Sequence, residues 1–231
     1  MERCVESELL DELPPADPRA VRSRKDLQRV NAWMGNGGVM ARALQSACDG
    51  RAARRIAELG AGDGRLLLSV ARRLPAAWRG TQAMLLDRWI IVTPETNQDF
   101  AAAGWRAEVV QADALVWLNQ PSAPACDAMI ANLFLHHFTE AQLAELLRAA
   151  ARLARVFVAV EPRRSGPNLL LSRWLWLIGC NQVTRHDAPV SVRAGFAGRE
   201  LSQLWPAGQG WSLHERRAGW CSHLFIARRE E

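Results

Sequence analysis

Glu58, Asp63 and Asp87 carry the most chemistry in this sequence, because of what surrounds them. The stretch Arg55-Ile-Ala-Glu-Leu-Gly-Ala-Gly-Asp-Gly64 has glycines at 60, 62 and 64, directly after an apolar run that predicts a buried strand. Glycines so spaced allow a tight turn in which backbone approaches a ligand, and Arg65 to Leu74 predicts the helix that follows. Such a turn stands at the carboxyl end of a parallel strand, where open α/β sheets bind ligands. Charge narrows the ligand. A dinucleotide turn needs a third glycine where this chain has Arg65, and Glu58 and Asp63 would repel a pyrophosphate resting there. No Gly-Lys-Ser/Thr follows, so a triphosphate-cradling loop is excluded too. Carboxylates suit a cationic ligand instead. Asp87, ending the next apolar run, stands where an acid accepts hydrogen bonds from both hydroxyls of a ribose.

A ligand with a ribose, no phosphate and a positive charge is S-adenosylmethionine. Glu58-x-Gly-x-Gly-x-Gly64 resembles the first motif of the class I S-adenosylmethionine-dependent methyltransferases, and Asp87 matches the acid that ends their second strand. The resemblance runs over roughly residues 30–229. It implies that Glu58, Gly60, Ala61 and Gly62 lie along the methionine part, and that Asp87 and Arg88 lie at the ribose. It also implies that Asp113 and Ala114 meet the adenine, while Asn132 and Leu133 present backbone to the methionine. As a residue type, Asp113 is equally at home as a helix cap.

The acceptor is read from Asp127-Ala-Met-Ile-Ala-Asn-Leu-Phe-Leu-His-His-Phe-Thr-Glu140, a fourth strand and its loop. Enzymes that methylate exocyclic amines of bases carry Asp/Asn-Pro-Pro-aromatic here, and this chain has Asn-Leu-Phe-Leu. It has no Pro-Cys dipeptide, which cytosine-C5 enzymes need. The His-His-Phe ending is similar to small-molecule methyltransferases, including the quinone C-methyltransferases. In an extended loop His136 and His137 would point opposite ways, so at most one faces a pocket. His137 is the candidate base, with His186 and Glu161 as further candidates. The alternatives are a packed histidine that orders the loop, a solvated turn before Pro189, and a helix cap. Arg29-Val-Asn-Ala-Trp-Met-Gly35 and Val183 to Phe196 resemble small bacterial methyltransferases that sit beside polyketide-synthase genes. That likeness implies O-methylation of a small, hydrophobic, phenolic or polyketide-like acceptor. Quinone C-methylation, an RNA- or protein-directed activity, and a non-catalytic cofactor-binding partner protein stay open. No metal is expected, because no acid pair is recognisable as a magnesium site.

The elements that must position these residues alternate. Strands are predicted at 55–59, 83–86, 107–111, 127–132 and 156–160, with helices at 65–74, 95–103 and 140–153. That is βαβ alternation, a parallel sheet with helices on both faces. A helix at 198–205 and a hairpin of two strands, 211–218 and 222–229, complete a Rossmann-like seven-strand α/β arrangement. Residues 1–50 form a helical segment capping the cofactor site: a short helix and loop, a helix over 26–35 broken by Gly35-Asn-Gly-Gly38, and a helix over 39–48. Residues 51–231 form the methyltransferase domain, with an insertion at about 162–197 covering the acceptor. Asn168 to Cys180 reads as a helix with too many apolar residues for one stripe, so an acceptor, a partner subunit or a membrane surface must cover its outer face. Arg185-His-Asp187 reads as a polar cluster at the pocket mouth.

Bulk properties limit the partners. The 231 residues suffice for one sizeable α/β domain, and net charge is +5. Of 29 basic residues only Lys25 is a lysine, and the arginines are dispersed, so no nucleic-acid arm is present and no nucleic-acid partner is expected. Five widely spaced cysteines without C-x-x-C argue against a disulfide framework or a zinc site and predict a reducing cytoplasm. No signal peptide or transmembrane segment is expected. A homodimer is compatible with the sequence, which leaves the oligomeric state open.

Overall fold

The structure, a computed structural model, describes residues 1–208 and 210–230. The chain runs α1 (Leu9–Glu12), α2 (Pro18–Met34), α3 (Asn36–Ala47), β1 (Arg55–Leu59), α4 (Arg65–Ala71), β2 (Gln82–Asp87), α5 (Pro94–Ala102) and β3 (Arg106–Gln111). It continues with α6 (Ala114–Leu118), β4 (Cys126–Asn132), α7 (Glu140–Leu153), β5 (Ala154–Pro162), α8 (Gly166–Ser172), α9 (Gln182–Ala194), α10 (Glu200–Leu204), β6 (Trp211–Ala218) and β7 (Ser222–Arg229). Among the described residues the strands form one seven-stranded sheet in the order β3-β2-β1-β4-β5-β7-β6. The first five are parallel, and β7 runs antiparallel between β5 and β6. The expected Rossmann-like sheet with its C-terminal hairpin is present. Its order reverses at β1, which puts the β1 turn where such sheets bind ligands.

The inner strands read as unbroken apolar runs because both of their faces are covered. On one side Ile56, Leu85, Val158 and Val160 pack with Met40 and Leu44 of α3, Leu67 and Val70 of α4, and Phe100 of α5. On the other side Leu59, Leu86, Met129 and Phe157 pack with Leu143, Leu146 and Leu147 of α7 and Leu201 of α10. No helix among the described residues is long and apolar enough to cross a membrane.

Three segments differ from the sequence-based expectation. The helix placed at 26–35 starts at Pro18, because Asp17 accepts the Arg19 amide and proline fits the first helical turn. The single helix expected over Asn168 to Cys180 is α8 followed by a separate 3-10 turn at Leu175–Ile178. The polar stretch around Arg185-His-Asp187 is not a turn but the interior of α9, although Pro189 removes one backbone donor there. Tertiary contacts hold this helix. The Asn181 side chain caps it, Thr184 Oγ1 meets Ser23 Oγ of α2 at 2.8 Å, and Asp187 accepts the Leu9 and Leu10 amides.

Candidate cofactor site and acceptor region

The end of β1 is built for close approach. Gly60 (φ +67°) and Gly62 (φ +55°) lie in the left-handed region. A Cβ on Gly60 would stand 2.2 Å from the Phe134 ring, whereas one on Gly62 would meet nothing within 4 Å. The turn is therefore clamped by Phe134 on one side and open on the other. Ala61 is buried and donates its amide to Leu86 O at 2.9 Å. Gly62 donates to Asp87 Oδ2 at 2.8 Å and Trp89 to Asp87 Oδ1 at 2.9 Å, so Asp87 ties the turn to the end of β2. Each of its oxygens keeps a lone pair for a further donor. Arg88 follows with an exposed side chain, its carbonyl held by Gln111.

Glu58 is buried, and its Oε2 has no hydrogen-bond partner. Burial pushes its carboxyl well above the usual carboxylate range, and the negative charges of Asp63 and Asp87 push it further. Asp63 is held by Gln28 of α2, which brings the N-terminal segment over this acidic turn. An orphaned carboxyl oxygen, two neighbouring carboxylates and open space beside Gly62 fit a ligand carrying positive charge.

Asp113 caps α6, its Oδ1 accepting the Leu115 amide at 2.9 Å and the Val116 amide at 3.2 Å. Its Oδ2 has no partner among the described residues and is exposed, while Ala114 is buried beside it. Capping and ligand binding are thus compatible in one side chain. Asn132, ending β4, joins a polar triangle: Asn36 Nδ2 donates to Asn132 Oδ1 at 2.9 Å and to Asn31 Oδ1 at 3.0 Å. Asn36 is fully buried and also accepts from Ser222 Oγ. Sequence reasoning missed Asn31 and Asn36 as partners of Asn132, although they lie in the atypical stretch Asn31-Ala-Trp-Met-Gly-Asn36. Leu133 is left-handed at φ +49°, a conformation that turns the chain sharply out of the sheet.

Glu161 organises the loop that follows. Its Oε1 accepts the Phe134 amide at 3.0 Å and the Leu135 amide at 2.9 Å, and its Oε2 meets His136 Nδ1 at 2.9 Å. His136 Nε2 faces Glu8 Oε1 at 3.2 Å. Burial alone would lower the His136 pKa, but the hydrogen bonds and charges of Glu161 and Glu8 outweigh it and raise it. Burial would raise Glu8, and His136 instead brings it down. His136 therefore sits as a cation between two buried carboxylates. Its neighbour His137 is half-buried, with Nδ1 3.1 Å from Asp11 Oδ2 and a ring 4.2 Å from that of His136. Glu8, His136 and His137 each bring a potential ligand atom within 4.8 Å of one another. The proton on His136 already supplies the charge these carboxylates need.

Of the residues singled out as bases, His137 and Glu161 come together in this cluster, Glu161 as the loop's buried pin. His186 stands apart on the exposed face of α9, bonded to Asp187 at 2.9 Å. Glu8 and Asp11 were not anticipated; an acidic, proline-rich segment gives no signal of where its carboxylates will dock.

Comparison with known proteins bears on this geometry. Residues 56–156 match the family described as methyltransferase domain. The matched segment, less than half of the chain, is similar to a methyltransferase domain. It holds β1 to the start of β5, including the glycine turn, Asp87, Asp113 and Asn132. S-adenosylmethionine is the cofactor that such a domain binds, and the acidic turn fits it. No curated protein matches the chain significantly. Among solved structures, an O-methyltransferase family protein from Burkholderia thailandensis superposes with TM-score 0.60 at 20% identity, covering 94% of this chain and 61% of that one. Human N-acetylserotonin methyltransferase in complex with S-adenosylmethionine gives TM-score 0.52 at 16% identity, covering 96% and 61%. Magnesium protoporphyrin IX methyltransferase from Synechocystis with bound S-adenosylhomocysteine gives 0.56 at 15%, covering 89% and 86%. At these identities the likeness is one of fold. The chain spans about three fifths of the length of the first two.

Proposed function

We propose that the protein transfers the methyl group of S-adenosylmethionine to the oxygen of a small, apolar, phenol-type acceptor. The observation that carries the cofactor half is the orphaned, buried Glu58 carboxyl in an acidic turn that is open at Gly62. Bound there, S-adenosylmethionine supplies an electrophilic methyl group on a sulfonium. Gly60, Ala61 and Gly62 let backbone approach it, and Asp87 accepts from the ribose hydroxyls. Asp113 Oδ2 receives the adenine amino group with Ala114 beside the ring, while Arg88 flanks the ribose. Asn132 and Leu133 line the methionine part, and Glu58 faces its positive charge. Residues 1–50 cap this site through Gln28 and the Asn31–Asn36–Asn132 triangle.

The acceptor half rests on position and polarity. The insertion at about 162–197 packs on α1, α2 and the loop after β4, and its outer face is apolar, with Leu170, Leu171, Trp174, Trp176, Leu177 and Ile178 exposed. His137 is the favoured base. Asp11 holds its Nδ1, which leaves Nε2 to take the phenolic proton. Glu161 acts by pinning the loop rather than by moving a proton, and His186 remains as a second base at the insertion. Transfer is in-line, and most of the rate comes from alignment. The test is a methyl-transfer assay with labelled cofactor against alkylphenols, quinones and bulk RNA. Label in a phenyl ether supports the reading; label in a quinone ring carbon or in RNA overturns it.

A further inference from the structure

We infer a second binding site, for a phosphate-type anion, at the carboxyl end of β5 beside the β6–β7 hairpin. A cavity of about 570 Å³ there is lined by Arg163, Arg164, Ala197, Gly198, Arg216, Arg217 and His223, with no carboxylate in its wall. Among the described residues the guanidinium groups of Arg163, Arg216 and Arg217 have no hydrogen-bond or ion-pair partner. Arg164 is buried; its terminal nitrogens hold Met1 O and Glu200, and its Nε–H has no acceptor at all. His223 is buried too, its Nε2 2.7 Å from Glu215 Oε1, and it stands directly across from Arg217 in the β6–β7 register.

Burying a guanidinium donor without an acceptor is costly. Three unpaired arginines around a concavity also focus positive potential into it. One anion with several acceptor oxygens pairs these free guanidinium groups, and arginine is the side chain that matches a phosphoryl group's geometry. The cavity is large enough for a phosphomonoester with a small organic group. This site is not the cofactor's. Its walls follow β5 and lie on β7 and β6, two to four strands from β1, roughly 10–19 Å at ordinary strand spacing.

The experiment titrates the full chain with inorganic phosphate and with phenyl phosphate at low ionic strength, by calorimetry, in the parent and in Arg163→Gln/Arg217→Gln. Both residues are surface-reaching, and Arg164 is left intact to preserve the fold. The expected result is one saturable site, weakened about tenfold or more in the double variant, with S-adenosylhomocysteine affinity unchanged. Tighter binding of phenyl phosphate assigns the site to an esterified ligand, and equal binding assigns it to the free ion; both support the anion site. Absence of saturable binding, or an equal loss in Arg106→Gln at the opposite edge of the sheet, overturns it.

Discussion

At the residue scale the acidic turn makes two measurable statements. Asp87→Ala removes the acceptor of the Gly62 and Trp89 amides and, under the proposed function, of the ribose hydroxyls. Cofactor affinity should fall by about 1–3 kcal/mol, the cost of leaving such groups unpaired in a partly buried site. A folded variant with parental affinity would refute the ribose assignment. Glu58 gives a pH dependence. Its folded pKa is raised, so the folded chain holds a proton that the unfolded chain has lost. Its contribution to stability is present below the ordinary carboxylate range and is lost as pH rises toward the raised value. A cationic cofactor favours the charged form and should expel that proton. Calorimetry in buffers of different ionisation enthalpy should show proton release on binding near neutral pH, absent in Glu58→Gln. Proton uptake would contradict the cationic-ligand argument.

At the element scale, Gly60 and Phe134 show how the β1 turn and the β4 loop fix each other. Gly60→Ala combines a left-handed backbone with a Cβ 2.2 Å from an aromatic ring, so it should lower both stability and cofactor affinity. Adding Phe134→Ala should recover part of the affinity; no recovery would place the damage in the backbone alone. The apolar insertion makes a different demand. Trp174→Ala and Trp176→Ala should impair turnover of a bulky acceptor, at least one strongly, while cofactor affinity barely changes. Joint loss of both functions would remove the pocket-wall role. The inner strands were legible in the sequence because burial on both faces leaves mostly apolar runs, the edge strand β6 was legible from its hairpin turn to β7, and β1, β6 and β7 begin and end where expected. The glycine turn and Asp87 were legible because their chemistry is local. α9 was not, since Pro189 and three polar residues argue against a helix that contacts distant in sequence, with Ser23, Leu9 and Leu10 among them, hold in place. The Glu8–His136–Glu161 cluster was out of reach for the same reason. It joins carboxylates 128 and 25 residues away from His136.

At the scale of the whole molecule, residues 1–12 act as a strap across the carboxyl edge of the sheet. Arg3 donates to Ala194, His136 and Phe138 carbonyls, Cys4 to Arg193 O, and the Leu9 and Leu10 amides to Asp187. At its centre Glu8 meets His136, the residue that Glu161 fixes from below. The strap thus closes over the loop that carries the candidate base, and its hold should depend on pH in a definite way. His136 is raised from 6.5 to about 9, so its contribution is full below pH 6.5 and is lost as pH rises through the folded value. Glu8 is lowered from 4.5 to about 2, so its contribution is full above pH 4.5 and is lost as pH falls through the folded value. The clasp is therefore tightest between these two ordinary values and loosens on both sides. Glu8→Gln keeps the shape but leaves His136 with one carboxylate, and it should cost about 2 kcal/mol, or roughly 4–8 °C in Tm for a domain of this size. The loss should be largest near pH 5–6 and shrink toward pH 9, with hydrogen exchange accelerating at residues 133–139 and unchanged in β1 and β4. A pH-independent loss of Tm would mean that Glu8 acts by packing alone. Accelerated exchange throughout the sheet would mean that the strap is part of the global core rather than a clasp over the site.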